Sequence, residues 1–156
     1  MNIVYKTGDL FSSDEKVLVH GCNARGAYGS GVAGIMRKNY PEAYESYMRF
    51  FKSGSAKLGA INWVNVFDGR LIGNAITQDR YGNDPNIVYA DYYAIRLAMK
   101  EINTRALNDG FKSVGMPLIG AGLAHGSWKK ISQIIQEEAI DFSPIVYLLD
   151  GKIPIG

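Results

Sequence analysis

Apolar and polar positions along the chain mark out a succession of short elements. Ile3 to Tyr5 and Val17 to His20 read as strands, the second a near-continuous apolar run of the kind expected where both faces of a strand are covered. Gly8-Asp9 and Ser12-Ser13-Asp14 supply turns between them. From Val32 to about Phe51, the residues Val32, Ile35, Met36, Tyr40, Tyr44, Tyr47, Met48 and Phe51 fall mostly three or four apart, the helical period. Pro41 divides that stretch into two helices. Ala60 to Phe67 alternates as a half-buried strand does, Asp68-Gly69 is a hairpin-type turn, and Arg70 to Thr77 is the partner strand. Gly82 to Asn86 is a loop. Helical spacing returns over Tyr89 to Asn108, with Asp109-Gly110 as its stop. Ser113 to Ile119 is a further strand, Ser127 caps a helix over Trp128 to Glu138 that buries Ile131, Ile134 and Ile135, and Ile145 to Leu149 is a final buried strand. Strands and helices that intermingle in this way predict a three-layer α/β domain with a mixed sheet.

With 156 residues, 47% of them hydrophobic, the chain can bury a substantial core but is short for two, so one domain over residues 1–156 is expected. The 17 basic residues against 15 acidic ones give a net charge of +2, far below that of a sequence-independent nucleic-acid binder. Any anion is therefore expected at a local site. The single cysteine, Cys22, excludes an intrachain disulfide and a metal centre of several thiolates, and suits a reducing compartment. MNIVYKTGDLF carries no basic leader, and no apolar run approaches about 18 residues. A cytoplasmic monomer with no metal, cofactor or membrane partner is the expectation.

Gly29, Gly31 and Gly34 have the spacing G-x-G-x-x-G between a strand and a helix. A dinucleotide fingerprint needs its first glycine directly after the strand and an acidic residue about twenty positions on. Here GCNARGAY intervenes and Asp68 lies too far away, and no lysine follows Gly31 or Gly34 as a Walker loop requires. What remains is a loop that lets backbone N–H groups approach an anion at the start of a helix, or a loop needed only for a tight turn. MPLIGAGLAHGSW is a second glycine-rich passage from strand to capped helix, and two such loops can grip one diphosphate from both sides.

GDLF (Gly8 to Phe11), VHGCN (Val19 to Asn23), GSGVA (Gly29 to Ala33) and PLIGAGL (Pro117 to Leu123), in this order and spacing, resemble the macrodomain family over nearly the whole chain. The resemblance implies a three-layer α/β/α fold that binds ADP-ribose. It gives Asp9 and the N–H of Leu10 to the adenine edge, and Asn23, beside Gly21, to the distal ribose. Gly29, Ser30, Gly31 and Val32, with Gly120, Ala121, Gly122 and Leu123, become the two diphosphate loops. Bland alternatives are a turn cap for Asp9 and loop capping for Asn23.

Histidine at His20, where most macrodomains carry asparagine, resembles the branch of ADP-ribose-1″-phosphate phosphatases and terminal ADP-ribose glycohydrolases. The glycohydrolase lysine and aspartate are replaced by Gln78 and Ala124, so a ribosyl-lysine adduct cannot form. The viral-type histidine before the glycine triplet is replaced by Tyr28. The expected activity is therefore metal-independent hydrolysis of ADP-ribose-1″-phosphate, with His20 as the catalytic group; alternatives are a non-catalytic ADP-ribose reader and a de-ADP-ribosylating hydrolase without the lysine. An unperturbed pKa of about 6.5 leaves both forms of a histidine accessible at neutral pH, although a buried core histidine is the competing reading. His125 is a weaker candidate in the second loop. Asp79 could orient a base or pair with Arg80, Tyr81 could stack on a ligand ring, and Cys22 reads as a buried, inert thiol.

Overall fold

The computed structural model describes residues 1–156. Six strands, β1 (Val4–Thr7), β2 (Val17–Asn23), β3 (Ile61–Asn65), β4 (Leu71–Gln78), β5 (Ser113–Met116) and β6 (Ser143–Leu148), form one sheet in the order β1-β6-β5-β2-β4-β3. Only β3 runs antiparallel to its neighbour, through the Asp68-Gly69 hairpin with β4. The sheet is thus mixed, as expected. Helices α1 (Gly31–Asn39) and α2 (Pro41–Lys52) cover one face, and α3 (Tyr92–Asp109) and α4 (Trp128–Glu138) the other. No helix is long and apolar enough to cross a membrane.

Local chemistry sets the helix ends. Pro41 opens α2 at a position where its missing N–H costs nothing, which is why the long apolar period breaks there. Asp91 and Ser127 accept from Ala94 N and Lys130 N at the starts of α3 and α4. β1 and β6 are displaced by one or two residues from the sequence-predicted bounds, and α3 starts three residues later than its apolar period. β5 ends at Met116, three residues short of its expected bound, and β2 runs three residues past His20 to Asn23 because pairing with β4 continues there, with an irregularity between Cys22 and Asn23.

Each face of the sheet buries its own core. Leu18, Ile72 and Ile76 pack with Met36, Ala43 and Tyr47 on the α1/α2 side. Val19, Val114 and Val146 pack with Ile95, Met99, Ile102, Ile131 and Ile135 on the other. At about 25 cal/mol per Å² of apolar area, these two layers are the main stabilising force. Their placement also creates a crevice. The chain leaves β2 toward α1 on one face, and leaves the adjacent β5 toward α4 on the opposite face, so the two connections diverge at the strand ends. Crevices at such switch points are where open α/β sheets bind ligands.

Candidate functional site

A cleft of about 1110 Å³ runs along the carboxyl ends of the parallel strands. At one end lie Gly8 to Phe11 after β1 and Leu149-Asp150 after β6; at the centre are Gly21 to Asn23 and the two glycine loops; Thr77, Gln78 and Tyr81 lie at the end of β4. Asp9 and Asp150 are its only charged lining residues.

The loop after β2 is built for backbone donation. None of the N–H groups from Gly29 to Ala33 has a partner within the chain, and Ser30, which caps α1 by position, makes no side-chain cap bond. These donors converge at the positive end of α1. In the loop after β5, the N–H groups of Gly122, Leu123 and Ala124 are likewise unpaired, while the loop is held shut by Gly126 N donating to Gly120 O at 2.7 Å and by Tyr89 N and Ala90 N donating to Ala124 O. The loops meet across the cleft at Gly31, where φ is +59° and a Cβ would stand 2.9 Å from Leu123 Cδ1. Any side chain at Gly31 would strain the backbone at its positive φ and force the exposed Leu123 side chain aside. Gly21 serves the floor in a similar way, since a Cβ there would lie 2.6 Å from Thr77 Oγ1.

Of the residues singled out in the sequence, Asp9, Leu10, Gly21, Asn23, Gly29, Ser30, Gly31, Val32, Gly120, Gly122 and Leu123 line this cleft. Ala121 does not. Its N–H donates to Leu118 O, and its side chain packs on the α3/α4 core, because the loop needs this turn to reverse direction. Asp9 caps the 3₁₀ turn Leu10–Ser12, accepting from Phe11 N at 2.9 Å, while the N–H of Leu10 has no partner.

Asn23 is more committed than its motif implies. Its Oδ1 accepts from Arg25 N and Ala27 N at 2.9 and 3.2 Å, and its Nδ2 donates to Ala27 O at 2.8 Å. The side chain therefore shapes its own loop and keeps one amide hydrogen for a ligand, where a free asparagine would offer donor and acceptor together. Tyr47, on α2, locks the same turn by donating to Asn23 O at 2.7 Å and accepting from Gly26 N at 3.1 Å.

His20 is not brought into the cleft. It is fully buried on the α1/α2 side, one pleat below Cys22. Asn74, in the middle of β4, donates from Nδ2 to Ala43 O at 3.1 Å and Asn62 Oδ1 at 3.0 Å, which turns its Oδ1 toward His20 Nε2 at 2.6 Å and the Tyr28 hydroxyl at 2.7 Å. His20 Nε2 must then carry the hydrogen, and Nδ1 is left buried without a partner. Burial pushes its pKa down to about 4, the Asn74 contact opposing only in part, so the ring is neutral at physiological pH. Because β2 continues, His20 and Cys22 do share a face, with Sγ 3.6 Å from Nε2. Burial nonetheless raises the Cys22 pKa far above neutral, which disfavours the thiolate.

Asn74 was not among the residues singled out, although a lone asparagine inside the apolar run LIGNAIT was the available signal. Asp79 pairs with Arg25 and not with Arg80, in a two-pronged contact of 3.1 Å per prong. His125 is exposed, with Nδ1 2.8 Å from Ile87 O, and Tyr81 is 59% exposed at the cleft mouth.

Fold and site together define an α/β/α domain with a crevice at its strand ends lined by unpaired backbone donors. The chain belongs to the Macro domain family, whose model matches residues 19–135. It is 31% identical over 150 residues to ADP-ribose glycohydrolase OARD1 of Bos taurus, covering 94% of this chain and 91% of that protein. To the ADP-ribose 1″-phosphate phosphatase of Meyerozyma guilliermondii it is 27% identical over 168 residues, with 87% and 93% covered. A solved structure of a protein of unknown function from Bacteroides thetaiotaomicron matches with a TM-score of 0.83 at 34% identity, over 94% of this chain and 98% of that one.

Proposed function

We propose that this chain binds ADP-ribose in the cleft and hydrolyses ADP-ribose-1″-phosphate to ADP-ribose and phosphate. The observation that carries the reading is the pair of facing loops whose unpaired N–H groups, Gly29 to Ala33 and Gly122 to Ala124, converge on one crevice. Such a cradle suits a diphosphate. The Asp9-Leu10 turn lies at one end and Asn23 at the centre beside the glycine loops, an arrangement that suits adenine at the first and the diphosphate and distal ribose at the second. The names of the relatives support a hydrolase of ADP-ribose derivatives.

In this reading water attacks phosphorus, the bond from phosphorus to the anomeric oxygen breaks, and that oxygen leaves with the electron pair and takes up a proton. The anomeric hydroxyl is a more acidic leaving group than an ordinary alcohol, so positioning and backbone donors contribute more than a strong general acid. His20 contributes by holding Asn74 and Tyr28, behind the wall of the cleft. The same burial of His20, with Gln78 and Ala124 where the glycohydrolases carry lysine and aspartate, favours a second reading as a non-catalytic reader.

Calorimetric titration with ADP-ribose is expected to give one saturable site, and NAD a much weaker one. Phosphate release from ADP-ribose-1″-phosphate then separates the readings: turnover supports the phosphatase, saturable binding without turnover leaves the reader, and absence of ADP-ribose binding overturns both. Because no lysine or arginine lines the cleft, ADP-ribose affinity is expected to change less than about threefold between about 0.05 and 0.5 M salt. A steep salt dependence would contradict recognition by neutral donors.

A further inference from the structure

Resting on the ADP-ribose reading, we infer that Arg25 is the specificity residue for a terminal phosphate on the distal ribose, exchanging its partner Asp79 for that phosphate. A terminal phosphomonoester brings about −1.5 to −2 of charge at neutral pH. The cleft itself offers no cationic side chain to meet it, and its two charged lining residues, Asp9 and Asp150, are acidic. The glycine-loop donors are engaged by the diphosphate.

Arg25 does not line the cleft but lies between two residues that do, Asn23 and Ala27. It follows Asn23 by two positions, and its backbone N–H donates to Asn23 Oδ1 at 2.9 Å, so its loop is tied to the amide assigned to the distal ribose. Asp79 follows Gln78, itself a lining residue at the end of β4. The pair therefore bridges the β2 loop and the β4 end at the distal rim, and Ala24 N strengthens the bridge by donating to Gln78 O and Asp79 O at 3.0 and 3.1 Å.

The pair is also exchangeable. Its side chains are 50% and 51% exposed, a setting in which ion pairs hold weakly. The guanidinium already presents its Nε and Nη2 donors as a fork, the arrangement that receives a phosphate by two parallel bonds. A terminal phosphate offers the same fork with greater charge than a carboxylate. Arg80, exposed and without an acidic partner, is the competing cation on this rim.

The test compares discrimination, the Kd for ADP-ribose divided by the KM, or the Kd if there is no turnover, for ADP-ribose-1″-phosphate. Arg25→Gln preserves the backbone N–H that Asn23 uses and is expected to lower discrimination about tenfold. Asp79→Asn, which removes the competing carboxylate, is expected to raise it about threefold. An unchanged ratio in Arg25→Gln, or the same loss in Arg80→Gln, overturns the assignment to Arg25 while leaving ADP-ribose binding standing. Failure of the wild type to bind ADP-ribose overturns both.

Discussion

Asn74→Leu is expected to lower unfolding stability by about 3–4 kcal/mol, with the urea midpoint falling and the m-value unchanged. The side chain is fully buried and makes four contacts between 2.6 and 3.1 Å, to His20, Tyr28, Ala43 and Asn62. Leucine conserves volume, so lost packing is small and the loss falls on polar groups left dry. His20 Nε2 and the Tyr28 hydroxyl stand 3.0 Å apart and can pair with each other after the substitution. Asn62 Oδ1 has no such substitute and Ala43 O keeps only its intrahelical bond within α2, and a buried group left unpaired costs about 1–3 kcal/mol. For a chain of this length the melting temperature should fall by roughly 10 °C. Tyr28→Phe should cost more in the Asn74→Leu background than in the wild type, because the hydroxyl is then the remaining partner of His20 Nε2. A loss below about 1 kcal/mol for Asn74→Leu, or strict additivity with Tyr28→Phe, would show the network to be incidental. The consequence reaches the cleft, since Tyr28 directly precedes Gly29 and its ring packs between His20 and Tyr47.

Much of this was readable from residue order alone, and the exceptions share a cause. Helices with strong periodicity and local caps, such as α4 after Ser127, emerge because their signals lie within one turn of themselves. The division at Pro41 is local in the same sense. β2 past His20 was not legible: Gly21 and Asn23 interrupt its apolar run, and pairing with β4 keeps them extended. The facing of His20 follows from its two-residue offset from Leu18, and what the apolar run did not show is that this face is covered by α1 and α2. Both glycine loops were legible as donors, but Ala121 inside the second one turns inward for a reason of loop closure that spacing does not encode. Asn23 was identified by motif, yet the share of its amide used within its own loop depends on Arg25 and Ala27 folding back to it. Asn74 and the Arg25–Asp79 pair join segments about fifty residues apart, a distance at which sequence pattern is silent.

The buried histidine makes a second large effect, in acid. His20 has a folded-state pKa of about 4 against 6.5 for the free side chain, so between those values the unfolded chain takes up a proton that the folded one refuses. Stability contributed by the neutral ring is fully present above pH 6.5 and is lost as the pH falls toward 4. Below that, both states are protonated and the loss from this group stops growing. The full difference amounts to about 3 kcal/mol. Carboxylates such as Asp68 and Glu138, whose pKa values are lowered by Tyr40, Arg70, Arg96 and Lys100, add their own loss at the acid end, so His20 must be isolated by substitution. His20→Gln keeps a donor toward Asn74 but does not titrate. Urea unfolding from pH 7.5 to 4.5 should show the wild type losing stability more steeply, with the two curves converging by about 2–3 kcal/mol. Parallel curves would mean that the ring is accessible to protons in the folded state. The same argument extends to turnover: a histidine held neutral down to about pH 4 puts no break near 6.5 in the rate of phosphate release. A break there that disappears in His20→Gln would return the residue to the chemistry and require it to reach the cleft.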